Sequence, residues 1–120
     1  MLSGDDAAPP PVDLLWVAPT VGSRQDAVTL ARAVVEGRLA ACAQITAIDS
    51  VYRWQGGIEG EPEFHVLFKT RSDRYDALAT AVRDWHPYKT PELQAVVVAR
   101  SDPDYAAWVR DNAGPTGDAG

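Results

Sequence analysis

Residues 51–57 read VYRWQGG, and this stretch decides how the middle of the chain folds. The pair Gly56-Gly57 after Gln55 is a short hairpin signal, because tight hairpin turns need residues that accept positive φ angles. Upstream, residues 41–54 are rich in β-branched and aromatic side chains, which favours a strand. Downstream, large apolar side chains alternate with other residues, as in a return strand: Phe64, Val66 and Phe68. The sequence therefore predicts a long β-hairpin.

Two details of this hairpin follow from its residues. Ile45 and Ile48 cannot lie on one face of a regular strand, so we expect a bulge or bend within residues 46–49. Pro62 lacks a backbone donor, which indicates that the tip of the hairpin is a sheet edge.

The segment before the hairpin reads as a strand followed by a helix. Residues 13–18 form a short apolar run closed by Pro19, which predicts a buried strand. Ser23 is a helix cap with Asp26 three residues later, and an apolar residue recurs every three or four positions after it. Gly37 suits the left-handed position at the end of this helix.

The segment after the hairpin reads as helix, strand and short helix. Ser72 or Asp73 caps a helix that Pro87 ends. Residues 93–99 contain almost no polar side chain, which predicts a strand covered on both faces. Asp102-Pro103 is a cap followed by a first-turn proline, and it predicts a third, short helix.

The order of these elements is β-α-β-β-α-β plus a tail helix, which predicts an α+β, ferredoxin-like sandwich with a long hairpin. We expect a folded domain at residues 12–113 between disordered tails at 1–11 and 114–120, which carry few large apolar side chains. Right-handed crossovers place both main helices on one sheet face. The other face is then bare and partly apolar, which favours a homo-oligomer.

Composition limits the classes of partner. The chain has 120 residues and a formal net charge of −6, which argues against a general binder of nucleic acid or anionic membranes. No apolar run approaches the length of a membrane span, and the N-terminus lacks the pattern of a secretory signal. One cysteine cannot form an internal disulfide, so we expect a cytoplasmic location.

Residues 85–92 read WHPYKTPE and form a stiff connector, because each proline fixes its own φ and restricts the residue before it. Such a loop holds His86 and Glu92 in place, so these two residues are candidate metal contacts. His86 serves either as a ligand or as a structural hydrogen-bonding group. Cys42 is a further candidate ligand, although small buried cysteines usually only pack. His65 is expected to be a solvated surface residue.

The hairpin tip carries Tyr52, Arg53 and Trp54, and Lys69 lies near the end of the return strand. These residues suit either an anion-binding intersubunit cleft or a protein interface, since interfaces favour aromatic and arginine side chains. The chain contains no phosphate-binding loop, nucleophile elbow or zinc-protease motif, so we expect no enzyme activity.

Several blocks in order resemble the CutA divalent-cation tolerance proteins. They cover about residues 13–112 and include RLAACA at 38–43, VYRWQG at 51–56, KTR at 69–71, HPY at 86–88 and TPEL at 90–93. The resemblance implies a ferredoxin-like fold and a homotrimer like that of the PII signalling proteins. It also implies a non-enzymatic role in tolerance and binding of copper or other divalent metals.

The chain departs from the family at positions that the resemblance links to copper. Trp16 and Trp85 stand where some members have cysteine and histidine, and Lys89 stands where many have a carboxylate. The resemblance then implies weak copper binding through His86. The alternative is a PII-like signalling trimer that binds a small anionic effector between subunits, through Arg53, Lys69, Lys89 and the aromatic residues Tyr52, Trp54 and Tyr88.

Overall fold

The computed structural model describes residues 12–86 and 91–115. The tail predicted at residues 1–11 lies outside these ranges, and so do residues 116–120 of the tail predicted at 114–120. The strands are β1 (Leu14–Val17), β2 (Thr20–Val21), β3 (Cys42–Trp54), β4 (Gly57–Arg71) and β5 (Ala95–Val97). The helices are α1 (Arg24–Glu36), α2 (Tyr75–Trp85) and α3 (Pro103–Ala113). The element order is the one predicted, except that a second short strand, β2, follows β1 after Pro19.

The five strands form one antiparallel sheet in which β4 is central. β3 pairs with one side of β4, while β1 and β2 pair with successive parts of its other side, and β5 pairs with β1. Pro19 separates β1 from β2, but its carbonyl accepts a hydrogen bond from the Val66 amide (3.0 Å). The sheet therefore continues across the break.

Helices α1 and α2 lie on the same face of the sheet, as predicted. They enclose the main core with the inward residues of the strands, and the members that are least exposed include Val17, Leu30, Val66, Phe68, Leu78 and Val82. Helix α3 packs on the opposite face in a second cluster of Leu14, Ala41, Ala106, Val109 and Ala113. The fold is thus the α+β, ferredoxin-like sandwich with a short helix added.

The N-termini of α1 and α3 are capped as predicted, but the end of α1 and the start of α2 differ from the prediction. Ser23 Oγ accepts from the Asp26 amide (3.1 Å), and Asp102 caps α3. The left-handed residue after α1 is Arg38 (φ 58°), whereas Gly37 has φ −80°. The prediction for Gly37 was wrong, because the left-handed φ falls on Arg38, one residue later.

The start of α2 also differs from the prediction. A 3₁₀ turn at Ser72–Arg74 precedes it, and no side chain caps its N-terminus among the described contacts. Asp73 instead accepts two hydrogen bonds from the Arg71 guanidinium (2.8 and 2.6 Å). This bond lowers the pKa of Asp73 and raises that of Arg71.

The hairpin has the predicted length and is more regular than predicted. Gln55 and Gly56 both have positive φ (48° and 82°), which forms the expected two-residue turn between Trp54 and Gly57. The β3–β4 register runs without interruption from Cys42↔Lys69 to Trp54↔Gly57, so the predicted bulge at 46–49 was wrong. Ile45 packs against the main core, and Ile48 takes the opposite face because the alternation is unbroken.

Strand β5 is shorter and more exposed than the predicted strand at 93–99. It spans three residues, and Val96 and Val97 are 62% and 56% exposed. The expectation that both faces are covered is wrong for one copy of the chain. Nothing within residues 12–86 and 91–115 covers this edge, so its apolar side chains are available to another molecule.

Arginines attach α3 to the sheet. The Arg38 guanidinium donates to the carbonyls of Asp111 and Gly114, and Arg71 Nη1 donates to the Arg110 carbonyl (2.9 Å). These carbonyls lie at the end of the helix, where backbone acceptors have no partner within the helix. Among the described residues, no helix is long and apolar enough to cross a membrane.

Candidate metal and ligand site

His86 follows α2 and is 7% exposed, which makes it the most buried of the candidate ligands. Its amide donates to the Val82 carbonyl (2.8 Å), and its backbone is extended (φ −73°, ψ 132°), as expected before a proline. The ring of Trp85 meets the imidazole edge-on at 6.2 Å between centroids. The backbone and the neighbouring ring thus restrict the imidazole.

The imidazole of His86 also joins two distant parts of the chain. Nε2 lies 2.6 Å from the Thr20 carbonyl oxygen, and a carbonyl only accepts, so Nε2 carries the proton. Nε2 is therefore engaged and is not available to a metal ion in this arrangement. The structural role expected for His86 is thus present.

Cys42 lies away from His86. It begins β3 opposite Lys69, whereas Thr20, the partner of His86, pairs with His65. Four residues along β4 correspond to about 13 Å. The Cys42 side chain also points to the face opposite the main core, since its neighbour Ala43 packs against that core.

Glu92 is exposed and lies in the connector between α2 and β5. Tyr88 and Lys89, the other candidates in that connector, lie outside the described residues. Within the described part of the chain, no three histidine, cysteine, aspartate or glutamate side chains are grouped as a metal site requires. One copy of the chain therefore does not present a complete site from these residues.

The candidate cleft residues of the hairpin are also spread out. Tyr52 lies ten positions after Cys42 on β3, which corresponds to about 33 Å along the strand, and Cys42 is the cross-strand partner of Lys69. Arg53 points to the opposite face from Tyr52 and Trp54, because side chains alternate along the strand. At this separation, the described part of one chain does not bring these residues into one cleft with Lys69.

Lys69 has partners that the sequence did not indicate. Its ammonium lies over the rings of Trp16 (5.6 Å) and Tyr105 (5.5 Å), and Tyr105 stacks on Trp108 (5.7 Å). The three aromatic residues come from β1 and α3, so no local spacing could reveal the cluster. A cation held over two rings is stabilised by the ring quadrupoles, which favours a structural role for Lys69.

Tyr52 has an unusual electrostatic environment on the hairpin. Its hydroxyl donates to Glu61, which raises the pKa of Tyr52 to about 12; burial of the hydroxyl and the charges of Glu61, Glu63 and Glu59 act in the same direction. Because the folded pKa lies above the ordinary value of 10.0, the contact stabilises the hairpin below pH 10 and is lost as the pH rises through about 12.

Substituting Glu61→Gln is expected to shift the titration of Tyr52 down towards its ordinary pKa, because the carboxylate acceptor and its charge are removed. Ultraviolet absorbance of tyrosinate against pH measures this shift, and Tyr52→Phe identifies the component that belongs to Tyr52. Glu36→Gln, on α1, is the matched control and should leave the curve unchanged. A wild-type curve without a late component would contradict this assignment.

Several large apolar side chains are exposed, and many lie on the face opposite the main core or on the hairpin. Trp16 is 46% exposed beside Val96 in the β1–β5 pair, and Trp54 is 60% exposed near the turn. The others are Val28, Val51, Ile58, Val97, Tyr105 and Trp108. Residues 57–63 of β4 pair only with β3 in the described structure, which leaves a free strand edge.

Comparison with known proteins gives a consistent result. The profile of the CutA1 divalent ion tolerance protein family matches residues 15–112. The divalent-cation tolerance protein CutA of Thermus thermophilus is 41% identical over 96 residues, which cover 79% of this chain and 93% of that protein.

Solved structures agree with the sequence comparison. CutA from Synechococcus elongatus has a TM-score of 0.83 and 39% identity, covering 87% of this chain and 93% of the other. A protein from Archaeoglobus fulgidus described as the periplasmic divalent cation tolerance protein CutA has a TM-score of 0.82 and 30% identity, covering 84% and 99% of the two chains.

Proposed function

The chain belongs to the CutA1 divalent ion tolerance protein family, and we propose that it acts in divalent-cation tolerance as a non-enzymatic homotrimer that binds copper or a similar ion weakly. The match over residues 15–112 carries this proposal, together with about 40% identity to relatives that are named for divalent-cation tolerance. We place the domain at residues 12–113. We also propose a cytoplasmic location, although one solved relative is described as periplasmic.

The proposed trimer rests on surface that one chain leaves uncovered. Val96, Val97 and Trp16 form an apolar edge, and the hairpin tip exposes Trp54 and the free side of β4. Contiguous apolar surface and unpaired strand edges are typical of association sites. Tyr52, Arg53, Trp54, Lys69, Tyr88 and Lys89 are then proposed as residues at or near subunit contacts.

We propose His86 and Glu92 as contacts of the metal site, and Cys42 as a contact supplied by another subunit, since it lies away from His86 in its own chain. Because the described residues of one chain do not group three ligands, the remaining ligands would come from water or from another subunit. Two features favour weak binding. The Thr20 carbonyl engages Nε2 of His86, and Lys89, three residues later in the sequence, adds positive charge to the connector.

Copper binding is expected to weaken by about tenfold or more in His86→Gln, which corresponds to loss of one ligand interaction. Glutamine keeps an amide donor for the Thr20 carbonyl but removes the imidazole, so the effect on folding is small. Isothermal titration with Cu²⁺ measures the change in affinity.

The matched control is His65→Gln, which removes the only other histidine and lies on β4. It should leave the isotherm unchanged. Equal isotherms for wild type and His86→Gln would remove His86 from the site. A loss confined to His65→Gln would move the site to the opposite face of the sheet.

The relatives reported above carry CutA names and give no support to the PII-like alternative. The same names describe tolerance proteins rather than enzymes, which agrees with the sequence, where no catalytic motif occurs. Non-enzymatic function is therefore part of the proposal.

A further inference from the structure

A cleft of about 320 Å³ lies beside α3, away from His86, Cys42 and Glu92. Its walls come from the start of β1, the segment after β5 and the side of α3; they are Val12, Asp13, Leu14, Val98, Ala99, Arg100, Ser101, Ala106 and Arg110. Pockets for small molecules usually start at about 300 Å³. The cleft is therefore large enough for a compact organic molecule.

Two guanidinium groups line this cleft. Arg100 is exposed, and no ion pair within residues 12–86 and 91–115 includes it; the pairs there are Arg32–Glu36 and Arg71–Asp73. Arg110 donates a hydrogen bond from Nε to the Val12 carbonyl at 3.3 Å. A carbonyl is a neutral acceptor, so this contact does not neutralise the guanidinium. A guanidinium group is a cation with several hydrogen-bond donors.

The rest of the lining is apolar or weakly polar. Leu14 and Ala106 belong to the second core cluster, and Val98 packs against it. Asp13 is the one acidic residue in the lining, and it forms no ion pair with either arginine in the described structure. The lining thus combines a net positive charge with an apolar floor.

We propose that this cleft binds a small organic anion, with a carboxylate held by Arg100 and Arg110 and an apolar body against Leu14, Val98 and Ala106. Guanidinium groups match the planar geometry of a carboxylate and form strong, charge-assisted hydrogen bonds with it. A cavity of about 150 Å³ is enough for benzene, so an aromatic carboxylate fits the available space. The site differs from the hairpin cleft considered above and does not depend on metal binding.

Benzoate is the probe for this proposal. We expect saturable binding by isothermal titration, with amide chemical-shift changes at Val98, Ser101 and Ala106. Arg100→Gln should weaken binding by about tenfold, the ratio that corresponds to the loss of one charge-assisted hydrogen bond. Because Arg100 is exposed, this variant should fold normally. Arg110→Gln should weaken binding similarly.

The matched control is Arg32→Gln, an exposed arginine on α1 whose loss should not change the affinity. Acetate carries the same carboxylate as benzoate without the ring, so it measures how much the ring contributes to binding. It should bind about tenfold more weakly than benzoate. The proposal is overturned by absence of saturation, by equal affinity in Arg100→Gln and wild type, or by equal affinity for acetate and benzoate.

Discussion

Replacement of Phe68 by alanine is expected to lower the free energy of unfolding by about 3–5 kcal/mol, which is a large part of the stability of a small domain. Phe68 is fully buried in β4, the strand that pairs on both sides, and it faces α1 and α2 in the main core. Its removal leaves a cavity that the neighbouring strands cannot close, because they are held by hydrogen bonds on both sides.

Guanidinium denaturation at fixed protein concentration measures this loss. Val28→Ala is the matched control, since Val28 is an apolar residue on α1 that is 37% exposed and lies outside the proposed subunit contacts. We expect a change below about 1 kcal/mol for the control. Equal losses of unfolding free energy in the two variants would contradict the position of Phe68 in the main core.

Replacement of Val96 by glutamate is expected to convert the proposed trimer into single chains. Val96 pairs with Trp16 at the exposed β5 edge, so a carboxylate there costs one isolated chain little. In a closed assembly the same carboxylate is buried without a partner in every copy, at a cost of several kcal/mol each. Sedimentation equilibrium measures the mass directly.

Val28→Glu is the control for this substitution. Val28 is also an exposed valine, but it lies on α1, away from the apolar edge. The control should remain trimeric. A wild-type protein that sediments as one chain, or a Val96→Glu variant that stays trimeric, would contradict the proposed assembly.

Local rules predicted most of the fold correctly. Turn chemistry at Gln55-Gly56 and the caps at Ser23 and Asp102 need only neighbouring residues, so the sequence is sufficient to find them. The bulge predicted at 46–49 was wrong because Ile45 and Ile48 do not share one buried face. The alternation of a strand carries no information about what covers its second face.

The candidate site was less accessible to sequence reasoning. His86 and its stiff connector could be identified from the prolines, but its hydrogen bond to Thr20 spans 66 positions. The ammonium of Lys69 over Trp16 and Tyr105 joins three separate elements. Contacts of this kind leave no periodic pattern in the sequence, because they depend on how the folded helices and strands pack against one another.

By itself, the sequence determined the order of strands and helices, the hairpin turn and the family, because these depend on residue type and short spacing. Only the tertiary structure decided the packing of α3 on the second sheet face, the hydrogen bond of His86 to Thr20 and the arginine-lined cleft beside α3. The physical reason is that each of these arises where backbone or side-chain groups from distant segments meet. Their partners are chosen by the geometry of the packed sheet and helices, and no single segment specifies that geometry.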